Sequence, residues 1–276
     1  MRKLRDLWLL TTALLLVPMV ALAKVVHEQR SLYQTVIIIE EADRICMQFT
    51  VRKDQRNQSC INPRHPREMQ FPYTRMMMTA LAFHPAPERI LVVGLGGGTL
   101  PEALEDLYPE ASLDVVEIDP VVVALAKQYF GYRPGPNTRV HEQDARVFTK
   151  RALRRHQAAG VDSPGYDLIL LDAFNGDYIP EHLLTREYLE ENRQLLSEDG
   201  VIAANTFAAS RLYDHESATY AAVFGEFLSL AKPYSGNRIL LTARDGLAAV
   251  DKVNARAQTE ALAPRLQPYG IDLVDQ

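Results

Sequence analysis

The sequence predicts an α/β protein: a doubly wound parallel sheet covered by helices on both faces, preceded by a small N-terminal β module. Three observations carry this. Short apolar strand signals alternate with helix signals from Arg89 onward, the order that a parallel sheet with crossover helices requires. A glycine-rich turn, Gly94-Leu95-Gly96-Gly97-Gly98-Thr99, follows the first of those strands. Ahead of Phe71 the chain is instead short-period and rich in β-branched residues, as strands are. At 276 residues, 47% hydrophobic and 24% charged, it has material for one large domain or two small ones. Fourteen Gly and sixteen Pro exclude collagen-like or low-complexity character. A net charge of -5 with no long basic run beyond the first few residues gives no nucleic-acid footprint.

The elements follow in order. Residues 1–23 are set apart: Arg2, Lys3 and Arg5 precede an apolar run from Leu7 to Ala23 that ends Ala21-Leu22-Ala23, the pattern signal peptidase reads. Cleavage after Ala23 and an uncleaved membrane tether through residues 7–23 both fit, and either sends the rest of the chain outward. A start at Met19 would leave a cytoplasmic protein. Removing residues 1–23 takes away three basic residues and one acid, leaving 27 basic and 34 acidic, a net of -7.

Residues 24–71 form the β module. Tyr33 to Glu40 and Ile45 to Val51 read as a hairpin around Glu41-Ala42-Asp43, and polar Asn57 to Pro66 as a loop. In an exported chain Cys46 and Cys60 could close a fifteen-residue loop, worth about 3 kcal/mol; in a cytosolic one they would be two buried thiols.

Residues 72–276 form the α/β domain. Pro72 opens a helix through Phe83, stopped by His84-Pro85-Ala86-Pro87. Strands are expected at Arg89–Val93, Leu113–Ile118, Thr138–Glu142, Tyr166–Leu171, Val201–Phe207 and Arg238–Thr242. Helices are expected at Leu100–Leu107, Pro120–Tyr129, Ala145–His156, from the N-cap Thr185 to Leu196, and at Ala218–Leu230.

In an open α/β sheet ligands sit beyond the carboxyl ends of the strands. Those positions hold the glycine turn, then Glu117, Asp144 and Asp172 in succession. Gly94, Gly96 and Gly98 let backbone approach a ligand with no Cβ in the way. Glu117 stands twenty-three residues after Gly94, about where an acid grips a ribose diol. Counting G-x-G-x-x-G from Gly94 places Thr99 at the last glycine, which demotes dinucleotide chemistry. No Lys-Ser/Thr pair follows the glycines, which demotes triphosphates. A nucleoside held without pyrophosphate fits S-adenosylmethionine or its decarboxylated relative. No metal-ligand spacing is present. The seven histidines are scattered, and the basic Arg151–Arg155 stretch reads as a solvated helix end.

From Glu28 to about Thr242 the chain resembles the spermidine synthase (polyamine aminopropyltransferase) family. The resemblance runs through Ser31-Leu32-Tyr33-Gln34, Phe71-Pro72-Tyr73-Thr74-Arg75-Met76, Gly94–Gly98, Glu117-Ile118-Asp119, Gln143-Asp144-Ala145 and Asp172-Ala173-Phe174-Asn175. It implies a Rossmann-like, methyltransferase-type sheet and a donor, decarboxylated S-adenosylmethionine, that is a co-substrate; no cofactor is permanently bound. It implies that Glu117 takes the ribose, Asp144 the adenine amino group, and that Gln34 lines the donor pocket. Asp172 would orient the acceptor amine and take or relay its proton. Tyr73, Asn175 and Tyr234 would contact the substrate. A homodimer through the β module is the family's habit.

Departures from the pattern concern charge. Asn175 stands for a second acid, Gly96 for an acid in the turn, and Arg75 for a helix glutamate; Ala145 and Arg146 follow the adenine-binding Asp. A dication at contact with Arg75 would meet repulsion of about 1 kcal/mol in water and several at intermediate dielectric, which argues against a diamine acceptor. Three activities are therefore expected in turn: aminopropyl transfer to an amine, methyl transfer on the same scaffold, or non-catalytic nucleoside or amine binding outside the cytoplasm.

Overall fold

The computed structural model describes residues 23–50, 56–159, 165–172, 179–209, 211–233, 235–247 and 252–273. The apolar run before Ala23, together with Asn175 and Tyr234, lies outside them. Among the described residues no helix is long and apolar enough to cross a membrane.

The N-terminal sheet contains the expected hairpin, β2–β3, within four antiparallel strands: β1 (Lys24–Arg30), β2 (Thr35–Glu41), β3 (Arg44–Thr50) and β4 (Asn57–Ile61), paired in that order. β4 corrects the expected loop over Asn57 to Pro66. Its polar sequence hides an edge strand held by a ladder to β3, by the Gln48 amide donating to Asn57 Oδ1 (2.9 Å), and by a Cys46–Cys60 disulfide between directly paired residues. The run Val36 to Ile39 is continuously apolar because β2 is buried on both faces. Val36 and Ile38 pack with Met47 and Phe49 against Val122, Leu125 and Phe130, while Ile37 and Ile39 pack with the disulfide and Phe71.

The second sheet has seven strands in the order β10-β11-β9-β8-β5-β6-β7. β5 (Arg89–Val93), β6 (Ser112–Glu117), β7 (Thr138–Glu142), β8 (Tyr166–Leu171) and β9 (Leu196–Phe207) are parallel. In the central strands Ile90–Val93 and Leu168–Leu171 are continuously apolar, as strands covered on both faces are.

β11 (Asn237–Ala243) runs antiparallel to β9, and β10 (Leu228–Ala231) antiparallel to β11. The sheet is thus mostly parallel with two antiparallel strands at one edge, and the helix expected over Ala218–Leu230 is corrected here. Helix α6 (Tyr213–Phe224) stops at Gly225, whose φ of 78° ends it, and the chain turns back as a strand. The remaining helices are α1 (Pro72–Met77, tightening to 3-10 over Met78–Ala82), α2 (Thr99–Leu107), α3 (Pro120–Leu125, continuing as a π turn), α4 (Ala145–Ala159), α5 (Arg186–Leu195) and α7 (Lys252–Leu266). Thr185 caps α5, its Oγ1 accepting from the Tyr188 N–H at 3.2 Å.

The chain leaves β5 toward β6 on one side and returns to β8 on the other, so the strand order reverses between β5 and β8. Binding crevices of open sheets form at that point.

Candidate active site

A cavity of about 380 Å³ opens there, roofed by the N-terminal sheet. Gln34, Tyr73, Gly94, Gly96, Glu117, Asp144 and Asp172 all line it, so most of the residues read from sequence converge on one space. Gly98 is not among the lining residues. It is the left-handed turn into α2, and a Cβ there would stand 2.7 Å from the Tyr132 ring; packing explains that glycine.

The turn Ser31–Gln34 is seated by Ser31, whose hydroxyl donates to Asp119 Oδ2 at 2.6 Å. Asp119 is fully buried and caps α3, its Oδ1 accepting from the Val121 N–H at 3.0 Å. One carboxylate thus fixes a helix start and presents Tyr33 and Gln34 to the cavity.

Glu117 ends β6 with one backbone N–H on each oxygen: Leu95 on Oε2 and Asp119 on Oε1, both at 3.0 Å. The Leu95 bond ties the acid to the glycine turn. Burial raises its carboxyl above the ordinary range, against the pull of those N–H groups. Each oxygen keeps a lone pair for a hydroxyl donor.

Asp144 begins α4. Its Oδ1 accepts from the Val147 N–H (2.9 Å) and its Oδ2 meets His182 Nε2 at 2.8 Å. His182 also lines the cavity. In the sequence it is one scattered histidine among seven, because thirty-eight residues separate it from Asp144.

Asp172 follows β8, its N–H donating to the Val93 carbonyl (2.7 Å). The Asn205 amide donates to Asp172 Oδ1 at 2.8 Å, and the Asn237 amide donates to Asn205 Oδ1 at 3.0 Å. The Tyr73 hydroxyl supplies a further hydrogen bond. Burial pushes the Asp172 carboxyl up to about 7; the Asn205 and Tyr73 bonds pull it down and the Glu117 charge adds to the rise. Tyr73 is raised well above the usual phenol range, by burial first and then by Asp172. Phe71 stacks on Tyr73 at 5.8 Å between centroids. A carboxyl poised near neutrality, opposite an acid already held by backbone, can exchange a proton at the mouth of a nucleoside-sized space.

Asn205 and Asn237 carry no motif in the sequence that marks them for the site. Asn205 sits inside the apolar β9 run and is 4% exposed, so only the strand's end position could have flagged it. Arg75 overturns the expected repulsion: its Nη1 donates to the Met69 carbonyl at 2.6 Å, and it is not among the described residues lining the cavity.

A family model described as "Spermine/spermidine synthase domain" matches residues 70–236. A polyamine aminopropyltransferase from Vibrio vulnificus is 51% identical over 251 residues, covering 90% of this chain and 81% of that protein. Among solved structures, a probable spermidine synthase from Corynebacterium glutamicum superposes with a TM-score of 0.68 at 22% identity, covering 89% of this chain and 88% of that one; that likeness speaks to the fold alone. Human methyltransferase-like protein 13 in complex with SAH gives 0.63 at 25% identity, over 71% and 93% respectively.

Proposed function

Because this chain belongs to the spermine/spermidine synthase family, we propose that it transfers an aminopropyl group from decarboxylated S-adenosylmethionine to an amine acceptor. The observation that carries the proposal is the pairing of two unlike carboxyls in one cavity. Glu117 is clamped by backbone N–H groups and suits a ribose diol, while Asp172 sits near neutrality beside Tyr73 and Asn205.

In the reaction the amine nitrogen attacks the propyl carbon bonded to the sulfonium. A C–N bond forms, the C–S bond breaks with its electrons going to sulfur, and methylthioadenosine leaves as a neutral thioether. The product leaves as a secondary ammonium, so the one proton released is the one the acceptor ammonium gives up before the attack, which Asp172 accepts or relays. An alkylamine is mostly protonated at neutral pH, so the same carboxylate first orients the ammonium and helps uncover the lone pair. The sulfonium charge vanishes along the way, so positioning dominates the rate gain. Asp144 with His182 suits the adenine edge, and Gln34 the donor wall.

Purified protein incubated with decarboxylated S-adenosylmethionine and a panel of amines should release methylthioadenosine. Its absence with every amine would overturn the proposal, and S-adenosylhomocysteine formed from S-adenosylmethionine would make the chain a methyltransferase. Binding of methylthioadenosine without any turnover would leave the binding-protein reading.

On the same proposal the mature chain works outside the cytoplasm. The basic-then-apolar start of the sequence supports this, as does a buried disulfide joining neighbouring strands, since such bonds persist in oxidising compartments.

A further inference from the structure

We propose that Ser59, a residue outside the cavity, is a positioning residue for the donor site, held in place by the Cys46–Cys60 disulfide; the inference rests on the donor-site reading above. The glycine turn must present its backbone to the ligand in one conformation; Gly94 and Leu95 are tied to β6 and the Gly98 N–H to the Leu95 carbonyl, which leaves the Gly97 N–H to a partner outside the turn. The N-cap of α2 is Gly98, which makes no side-chain capping bond, and Gly94, Gly96 and Gly98 all have positive φ (98°, 54° and 91°). Glycines free to take such angles are equally free to leave them.

The missing constraint comes from the other sheet. Ser59 on β4 is 8% exposed, and its Oγ accepts from the Gly97 N–H at 3.0 Å across thirty-eight residues. A Cβ at Gly97 would fall 2.7 Å from that oxygen and 2.6 Å from the Phe130 ring, so the turn is gripped between the two. Gly96, which lines the cavity, has the Ser59 Cβ 3.5 Å from where its own would stand.

β4 is an edge strand, laddered to β3 alone, with an irregular register between Met47 and Gln48. Cys60, the neighbour of Ser59, is bonded to its cross-strand partner Cys46, and both are buried, at 3% and 0% exposure. A covalent staple beside Ser59 keeps a marginal edge strand from sliding or fraying away from the turn. Asn57 and Gln58 of the same strand line the cavity, so the staple also fixes that wall.

The test uses the full chain, with methylthioadenosine as the calorimetric probe alongside steady-state kinetics. Ser59→Ala should weaken methylthioadenosine binding and raise the donor KM about three- to tenfold, the worth of one hydrogen bond, while kcat and the acceptor KM hold. Exchange of the Gly97 amide should quicken in parallel, and Ser59→Thr, which keeps the oxygen, should restore both. Cys46→Ala/Cys60→Ala should shift donor affinity in the same direction, and adding Ser59→Ala to it should cost little more. A folded Ser59→Ala protein with wild-type donor affinity overturns the inference. So does a Cys46→Ala/Cys60→Ala protein in which kcat falls and both KM values rise together. Wild-type protein that fails to bind methylthioadenosine defeats the functional reading, and the positioning role with it; binding by wild type and Ser59→Ala alike defeats only the positioning role.

Discussion

Asp172→Asn separates a proton-handling carboxyl from one that merely fills space. In the folded protein the carboxyl titrates at about 7 instead of 3.8, chiefly because burial disfavours the charge. The folded state therefore holds a proton that the unfolded state has released, and wild-type stability falls as pH rises from about 4 through about 7. At about 1.4 kcal/mol per unit the rise sets a ceiling of about 4 kcal/mol. The side chain faces a cavity that admits solvent, which brings the expected value to about 2–4 kcal/mol. The amide that replaces the carboxyl cannot titrate, so the urea-unfolding free energy of the variant should gain on wild type by that amount across the window. Turnover should drop about 10²–10⁴-fold, as loss of a general base does, with donor affinity intact. Stability curves that stay parallel from about pH 4 to 8 would refute the raised carboxyl, and undiminished turnover would refute its role.

Four further outcomes follow from the same geometry. Glu117→Gln removes the charge from a carboxylate facing the proposed ribose; the donor KM should rise about ten- to a hundredfold in initial-rate kinetics, with kcat little changed. Tyr73→Phe deletes a hydrogen bond that lowers the Asp172 titration, so the acidic limb of the kcat/KM–pH profile should move above its wild-type position near about 7. Glu216→Ala strands the buried Arg238, whose guanidinium meets Glu216 Oε2 at 3.1 Å with both side chains almost wholly covered; chemical denaturation should show a loss of about 3–5 kcal/mol. Mass spectrometry of protein from an exported fraction should find a chain beginning at Lys24; a mass retaining residues 1–23 would leave the membrane tether.

The parts of this fold legible in the sequence are those written in local pattern. Compact strand signals bounded by turn residues need no partner to be recognised: Arg89–Val93, Thr138–Glu142 and Tyr166–Leu171 sit where expected, and Thr185 caps its helix. Strand ends then delivered Glu117, Asp144 and Asp172 to one cavity, because in this topology sequence position at a strand's end is spatial position. What failed was what only tertiary partners decide. β4 is polar and becomes a strand because β3 and a disulfide hold it. β10 hid inside an apparent helix because Leu228 and Leu230 satisfy either period, and only Gly225 marks the break. Asn205, Asn237 and His182 act through bonds spanning 32 to 38 residues, which no local window contains.

Charge at the acceptor end shows the same division between residue type and residue placement. Of the departures that argued against a diamine, Arg75 is turned to the Met69 carbonyl and is not among the described residues lining the cavity, so a repulsion of about 1 kcal/mol or more at contact does not apply to it. Arg146 likewise turns to the His182 carbonyl, Thr185 Oγ1 and Glu191, bracing the segment that carries His182 without adding a cation to the acceptor. Gly96 is a different case: its φ of 54° would strain an acid there, although the added Cβ would meet Ser59 only at ordinary van der Waals distance. Of the acids that line the cavity, Asp172 is the one the proposal assigns to the acceptor amine. A comparison of kcat/KM for a diamine and the monoamine of equal length reads acceptor selection directly: a second ammonium that gains a charge-assisted hydrogen bond is worth about 1–3 kcal/mol, or about five- to a hundredfold in favour of the diamine. A ratio near one would mean that Asp172 alone does the selecting.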